Sequence, residues 1–226
     1  MPSMGSHPCD CYIYHVGTTS WASSRDATSG THSGRTSFRY GNAPAVQKGA
    51  ARGGGNIWVT GRAFFMFDTS GISEAPASAK LNLYPYLSAT SADFFVVEST
   101  IDIEPATFLT EYDSITGWNN SGVDNESNVV KYSSEFDASA DWNTSAYNGI
   151  DLNATALSRI ASLDMFKVCV IESVHDLRNV EPSTTPTPYR IGMYYSDNTG
   201  TSKDPYLEYT VATTATDNAT FFGCNF

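Results

Sequence analysis

The sequence predicts an all-β protein: a single jelly-roll-like β-sandwich with one short helix and an irregular N-terminal arm. Short runs of β-branched and aromatic residues recur between turn-forming clusters, which is the pattern of sandwiches and barrels. Helical periodicity is convincing in one segment alone. The 226 residues are a usual length for one such sandwich and are enough to bury a core without disulfide staples.

The predicted strands begin at residues 12–16, which contain two tyrosines, an isoleucine and a valine. After a glycine triplet, apolar runs at 57–59 and 63–67 indicate two more strands. Residues 79–87 alternate with period two, but Pro85 cannot donate to a ladder and indicates an edge strand or a bulge. The remaining predicted strands are residues 94–98, 128–132, 166–172, 190–195 and 206–211.

One helix is predicted over residues 154–163. Asn153 is a suitable N-cap, and Leu157 and Ile160 fall on one apolar face. A second helical turn is predicted after Pro105, because proline is favoured at the first position of a helix.

The chain is therefore divided into three regions, with the sandwich domain at 57–211. Residues 1–56 are interpreted as an arm with one strand and a long irregular region, and such a stretch is usually functional or ordered by a partner. Residues 212–226 form a tail whose three phenylalanines favour burial, which a neighbouring subunit would offer. These candidate docking residues are Phe221, Phe222 and Phe226.

Charge argues against a nucleic-acid partner. The chain has 13 Lys and Arg against 24 Asp and Glu, a formal net charge of −11, whereas nucleic-acid affinity comes mainly from basic side chains. Residues 1–62 are nevertheless basic overall, which indicates an arm that docks onto an acidic surface or, alternatively, a loop with solvated arginines. The candidate docking arginines are Arg25, Arg35, Arg39 and Arg52.

No targeting or membrane segment is evident. No run approaches the ~20 apolar residues of a membrane helix. The first residues lack the basic and then apolar pattern of a secretory signal. We therefore expect no membrane partner, and release by cell lysis if the protein acts outside a cell.

The four cysteines, Cys9, Cys11, Cys169 and Cys224, allow three pairings, and we expect at most one disulfide, with free thiols favoured. Together with neighbouring histidines, Cys9 and Cys11 supply ligand types that zinc accepts. A single residue separates these two cysteines, which is closer than in a zinc knuckle, so packing or a disulfide is the preferred interpretation.

The carboxylates do not define a catalytic site. Asp102 with Glu104, and Glu111 with Asp113, are spaced two apart, but a glycosidase also needs one raised pKa and a fixed separation across a cleft. Their polar surroundings favour solvated surface groups. The tract 124–126 offers oxygen ligands for calcium without EF-hand spacing. We predict no cofactor, with calcium as the alternative.

Trp118 and Trp142 are each followed by asparagine, a combination that suits stacking on a sugar ring and bonding to its hydroxyls. They form a candidate glycan platform. The preferred alternative is that both indoles cover the ends of the core.

Two segments carry a resemblance to a known family. Residues 62–72 (RAFFMFDTSGI) and 79–84 (AKLNLY) are similar to the core strands and turns of DNRLRE-type β-sandwich domains. Residues 147–157, 166–176 and 196–210 continue the order found in related bacteriophage structural proteins. The similarity covers about 60–211, and the signature that gives DNRLRE domains their name is absent.

The resemblance implies a non-enzymatic virion protein: a capsid decoration or accessory protein, a head fibre or a tail protein. Its partners would be other virion proteins such as the major capsid protein, and copies of itself, with a trimer suggested by analogy. A glycan-binding module or adhesin, recognising a host glycan, is the alternative, and a polysaccharide-degrading enzyme is a third hypothesis. The family carries no catalytic residues to transfer.

Overall fold

Two antiparallel β-sheets pack face to face in the computed structural model, which describes residues 1–34, 43–90, 92–102, 105–185, 188–196, 200 and 202–212. The predicted all-β sandwich is confirmed. Within these residues the strands are β1 (Ser3–Gly5), β2 (Cys11–Gly17), β3 (His32–Gly34), β4 (Ala45–Ala50), β5 (Asn56–Asp68), β6 (Ser78–Leu83), β7 (Pro85–Thr90), β8 (Phe94–Glu98), β9 (Asn148–Asp151), β10 (Met165–Glu172), β11 (Tyr189–Met193) and β12 (Tyr206–Thr210).

The smaller sheet has the order β1-β12-β6-β9. Its register places Met4 opposite Leu207, Leu207 opposite Leu81, and Leu81 opposite Ile150. These four residues form one apolar row across the sheet that packs into the core between the sheets. Alternation with period two therefore turns one face of this sheet inward.

The larger sheet is organised around β5, whose 13 residues are long enough to pair with three strands. Its order is β3-β2-β5-β4-β11-β7, and β10 and β8 extend it from the distal half of β5. Along one edge β5 pairs with β2, and along the other it pairs first with β4 and then with β10. Every residue of the apolar run 63–67 is buried, because the larger sheet is covered on both faces.

Two hydrophobic cores result from that coverage. In the inner core, Phe65 and Phe67 of β5 meet the smaller sheet. In the outer core, Phe64 and Met66 point the other way and pack under a layer of loops that includes Tyr112. A simple sandwich would leave this second face to solvent.

The helices are short: α1 (Trp21–Arg25), α2 (Ala138–Asp141), α3 (Ala154–Ser162), the 3₁₀-helix Pro105–Glu111 and a π-helical turn, Ser173–Leu177. The helix predicted at 154–163 is confirmed as α3. Asn153 Oδ1 accepts a hydrogen bond from the backbone N–H of Ala156 at 3.1 Å. Ile160 is buried against the inner core. The helical turn predicted after Pro105 is the 3₁₀-helix. None of the helices in the described residues is long and apolar enough to span a membrane.

The N-terminal region is more regular than the sequence indicates. The described parts of residues 1–56 contribute β1 to the smaller sheet and β2, β3 and β4 to the larger one, so these four strands are part of the sandwich rather than of an arm. β1 and β3 have three residues each, too short to show periodicity, and β4 lies in a Gly/Ala-rich stretch. Pairing with neighbours that are distant in sequence makes them strands.

Two other element predictions need correction. The strand predicted at 79–87 is two strands in different sheets, β6 and β7, which separate at Tyr84. The strand predicted at 128–132 forms only an isolated bridge, between Lys131 and Val97. The predicted tail lies outside the described residues beyond position 212.

Candidate functional site

A fully buried ion pair joins Arg62 of β5 to Asp176 of the π-helical turn. Arg62 Nε donates to Oδ2 of Asp176 and Nη2 donates to Oδ1, both at 2.8 Å. Nη1 donates to the carbonyl oxygen of Tyr112 at 2.9 Å. Burial alone would lower the pKa of Arg62, but the charge of Asp176, the hydrogen bonds to its carboxylate and the neighbouring Tyr112 together outweigh that effect and hold the pKa above its ordinary value.

Aromatic rings enclose the Arg62 guanidinium. Its Cζ lies 4.2 Å from the ring centroid of Tyr112 and 4.0 Å from that of Trp118. Arg25 also contacts Trp118, with Cζ at 4.6 Å from the ring. Because the guanidinium groups are stacked and bonded on several sides, a ligand would have to displace protein groups to reach them.

Arg25 has no exposed surface, which contradicts its prediction as a docking residue. Its guanidinium donates to the carbonyl oxygens of Asp176 and Leu177 and to the carboxylate of Asp26, the last at 2.6 Å. The five-residue helix α1 packs on β2 and β5 and thereby carries Arg25 inward. Arg52 is exposed in the turn after β4. The other predicted docking residues, Arg35, Arg39, Phe221, Phe222 and Phe226, lie outside the described residues.

Glu172 supports the same cluster from the end of β10. Its carboxylate accepts the backbone N–H groups of Val174, His175 and Asp176 and so caps the π-helical turn. Burial raises the pKa of Glu172 to about 7, against the lowering effect of these hydrogen bonds. The four charged side chains Arg25, Arg62, Glu172 and Asp176 therefore serve to hold the outer core together.

The predicted tryptophan platform is not an exposed surface. Trp142 is 8% exposed, and its ring packs edge-on against Phe94 and Phe136. Trp118 is half-buried over the arginines. These positions agree with the alternative interpretation, in which both indoles cover the core.

Two of the paired carboxylates, Glu111 and Asp113, form hydrogen bonds within their own loops. Glu111 Oε2 accepts from Ser114 Oγ at 2.6 Å and from the backbone N–H of Asp102 at 3.1 Å, and so shapes its own loop. Asp113 Oδ2 accepts from Asn120 Nδ2 at 2.7 Å. Glu104 lies outside the described residues. A shallow, open depression of about 410 Å³ at one end of the larger sheet has no acidic or basic side chain in its lining. Its lining residues are Gln47, Gly49, Ala50, Ile57, Val59, Thr184 and Thr185.

The candidate metal ligands are occupied in other ways. Cys9, Cys11 and Cys169 form no disulfide among the described residues and pack in the outer core. Cys224 lies outside the described residues. Glu126, of the tract proposed for calcium, is bound by Arg178 at 2.6 Å and Lys131 at 3.4 Å. Across the described part of the chain, no group of three His, Cys, Asp or Glu residues could hold a metal ion.

One surface of interest is the free edge of the smaller sheet, which we call the terminal edge: Met1, β1 and Val211. β1 pairs with β12 on one side, and no described strand pairs with its other side. The backbone N–H of Tyr209 donates to the carbonyl oxygen of Pro2 at 3.1 Å, so β1 is held along β12. Met1 is 83% exposed and Val211 is 60% exposed. Met1, which precedes β1, and Val211, which follows β12, therefore both expose apolar side chains at this corner of the sheet, where Met1 Sδ lies 3.4 Å from Thr210 Oγ1.

A second surface is a cluster of five partly exposed tyrosines, the tyrosine patch: Tyr84, Tyr86, Tyr147, Tyr194 and Tyr206. Tyr84 lies between β6 and β7, and Tyr86 is the second residue of β7. The other three are the residue before β9, the residue after β11 and the first residue of β12. Each ring contacts the next in the spatial order Tyr86, Tyr194, Tyr84, Tyr147 and Tyr206. The successive centroid separations are 5.5, 6.0, 5.1 and 4.9 Å. The spacing Tyr84-Pro85-Tyr86 is the one local signal of this patch, since the other members are more than 50 residues away in sequence.

The sequence matches no protein-family model and no curated protein. The functional interpretation therefore rests on the chemistry and placement of these residues.

Proposed function

We propose that this chain is a non-enzymatic structural protein of a bacteriophage particle, of the capsid decoration or accessory kind, that assembles through its terminal edge. The observation that carries the proposal is the pair of exposed apolar side chains, Met1 and Val211, beside the unpaired edge of β1. After β12, the neighbour of β1, the chain continues into residues 213–226, which contain Phe221, Phe222 and Phe226.

An open strand edge is a template for another chain. It presents backbone N–H and C=O groups that an added strand can satisfy, while pockets for side chains give specificity. A tail that starts beside such an edge and carries three phenylalanines is suited to donate a segment to a neighbouring subunit. We propose a homo-oligomer, with the trimer as the first arrangement to test, seated on other virion proteins such as the major capsid protein.

The use of charged groups supports a structural role over an enzymatic one. Within the described residues, the buried charged cluster around Arg62 is enclosed by Tyr112 and Trp118, and Glu111 organises a loop. A hydrolase needs a carboxyl pair facing a substrate across a cleft. The acidic body, with a net charge of −11, remains compatible with docking onto basic surfaces of partner proteins.

The test combines particle composition with a truncation. Mass spectrometry of purified bacteriophage particles that encode this protein should detect it in a fixed ratio to the major capsid protein. A variant that ends at residue 212 should lose particle association and self-association in sedimentation experiments, because the docking segment is gone. Its thermal unfolding should match that of the full chain, since both described cores lie within residues 1–212.

A matched variant with Phe221, Phe222 and Phe226 replaced by serine keeps the tail length and should fail in the same way as the truncation. Absence of the chain from purified particles would overturn the virion assignment. Unchanged association of both variants would overturn assembly through the tail.

A further inference from the structure

We infer that the tyrosine patch is a binding site for neutral carbohydrate. This inference goes beyond the structural role proposed above and does not depend on it. It assigns the glycan alternative to residues other than the two tryptophans considered from the sequence, because Trp142 is buried and Trp118 stacks on arginines.

The patch is pre-organised by hydrogen bonds to the backbone. The Tyr84 hydroxyl donates to the carbonyl oxygen of Ser145, and the Tyr147 hydroxyl donates to that of Asp204, each at 3.0 Å. These bonds link the β6–β7 junction to the segment before β9, and that segment to the approach to β12. The rings are therefore held in position before a ligand arrives, which lowers the entropic cost of binding.

Lys203 contacts two rings of the patch. Its Nζ lies 4.5 Å from the ring centroid of Tyr194 and 5.1 Å from that of Tyr84, and it donates to the Tyr194 hydroxyl at 3.4 Å. The cation is thus engaged by two aromatic rings and a hydroxyl. Because Lys203 is engaged and the protein carries a net charge of −11, the patch is better suited to a neutral ligand than to an acidic one.

The composition of the patch favours sugar over a protein partner. Tyrosine combines an apolar ring with a hydroxyl that donates and accepts hydrogen bonds, which matches the apolar faces and the hydroxyl groups of a sugar ring. Among the described residues, the exposed large hydrophobic side chains are those of Met1, Tyr86, Leu109, Val180 and Val211. Of these, only Tyr86, which is 36% exposed, belongs to the patch. Protein interfaces are also rich in tyrosine, but there it is accompanied by phenylalanine, tryptophan, methionine or arginine, which this patch lacks.

An additional acceptor lies beside the rings. The Oδ1 atom of Asp204 is shielded from solvent and has no hydrogen-bond partner among the described residues. A buried acceptor without a partner is costly, so a ligand hydroxyl that reached it after a small side-chain rearrangement would be bound favourably. Tyr206 follows two residues later, at the start of β12, whereas Val211 of the terminal edge follows the other end of that strand. A ligand on the patch would therefore leave the terminal edge free.

The test uses affinity electrophoresis with gels that contain mannan, dextran, xylan, a mixed-linkage β-glucan or, as an acidic comparison, alginate. We expect at least one neutral polysaccharide to retard the full chain. The Tyr86→Ala variant should weaken that retardation at least about tenfold, since stacking of an exposed ring is lost. Tyr194→Ala should do the same and should also release Lys203.

Controls separate binding from folding. Tyr189→Ala removes a half-buried tyrosine outside the patch, which packs on His175 at a ring separation of 4.5 Å, and should leave retardation unchanged. Each variant is compared with the wild type by thermal unfolding. If Tyr194→Ala fails to fold, Tyr86→Ala still decides the outcome, because its side chain is exposed.

Three results would overturn the inference: no retardation in any neutral gel, retardation that both patch variants retain, or a preference for alginate. The variant that ends at residue 212 should keep its carbohydrate binding, and Tyr86→Ala should keep its particle association. Failure of this inference is therefore distinguishable from failure of the proposed assembly role.

Discussion

Arg62 shows what a single residue can reveal only when its surroundings are known. In the sequence it precedes an apolar run and counts as one of six basic residues in a basic segment. In the structure it is fully buried, paired with Asp176 and enclosed by Tyr112 and Trp118. A buried charge is stable only while its partners compensate the loss of hydration. The contribution of the pair to stability is therefore tested by replacing the two partners singly and together.

Replacing Arg62 by methionine should destabilise the protein by about 3–5 kcal/mol, because the Asp176 carboxylate is left buried without its partner. Asp176→Asn should also destabilise, and the double variant should lose less than the sum of the two. The measurement is the free energy of unfolding in denaturant. Lys80→Met, in the exposed pair with Asp151, is the control and should cost less than about 1 kcal/mol. A loss of similar size in the lysine and arginine variants would contradict the buried network.

At the scale of elements, loops cover the outer face of the larger sheet and bury its side chains. The segment that carries Tyr112 and Trp118 crosses the outer face of the sheet, where Thr116 N–H donates to the carbonyl oxygen of Glu98 at 3.0 Å. It turns at Gly117, whose φ of +84° lies in the left-handed region. A Cβ at Gly117 would collide with the carbonyl oxygen of Asn128. The loop layer is thus fixed by one tight backbone approach.

Gly117→Ala should destabilise the protein by more than about 2 kcal/mol, since it combines backbone strain with a steric collision. Gly53 is a matched control: its φ is +95°, and no atom lies within 4 Å of the position that an alanine methyl group would take. Gly53→Ala should therefore cost only the strain, about 1 kcal/mol. Both values come from denaturant unfolding. Equal losses in the two variants would show that the close approach at Asn128 is relieved without cost.

At the scale of the whole molecule, the described residues form two large cores on opposite faces of one sheet. Neighbouring residues of β5 belong to different cores, with Phe65 between the sheets and Phe64 beneath the loop layer. A protein with one core would tolerate truncation of side chains on the outer face. Here both faces exclude water, so the loop layer contributes to global stability rather than only covering the surface.

Phe64→Ala and Phe65→Ala should each destabilise the protein by about 3–5 kcal/mol, because both side chains are fully buried. Chemical unfolding followed by tryptophan fluorescence provides the comparison. Leu109→Ala, at a position that is 39% exposed, should cost less than about 1 kcal/mol. A mild effect of Phe64→Ala beside a large effect of Phe65→Ala would contradict the second core.

The sequence was sufficient for features that depend on local pattern. Alternation and turn clusters predicted the all-β class, and Asn153 with the apolar face of residues 154–163 predicted α3. Pro85 correctly indicated an edge, because β7 lies at the end of the larger sheet. Each of these follows from residues that are close in the chain, where backbone preferences and period-two alternation act directly.

The tertiary structure decided which segments pair and which faces are covered. β1, β3 and β4 are strands because β12, β2 and β5 supply their hydrogen-bond partners, and these N-terminal strands therefore belong to the sandwich. Arg25 became a buried residue, and tyrosines from separate segments of the chain became one patch, for the same reason. Such contacts join residues that are far apart in sequence, and they stabilise the protein only once the tertiary fold has formed. No local sequence pattern therefore encodes them.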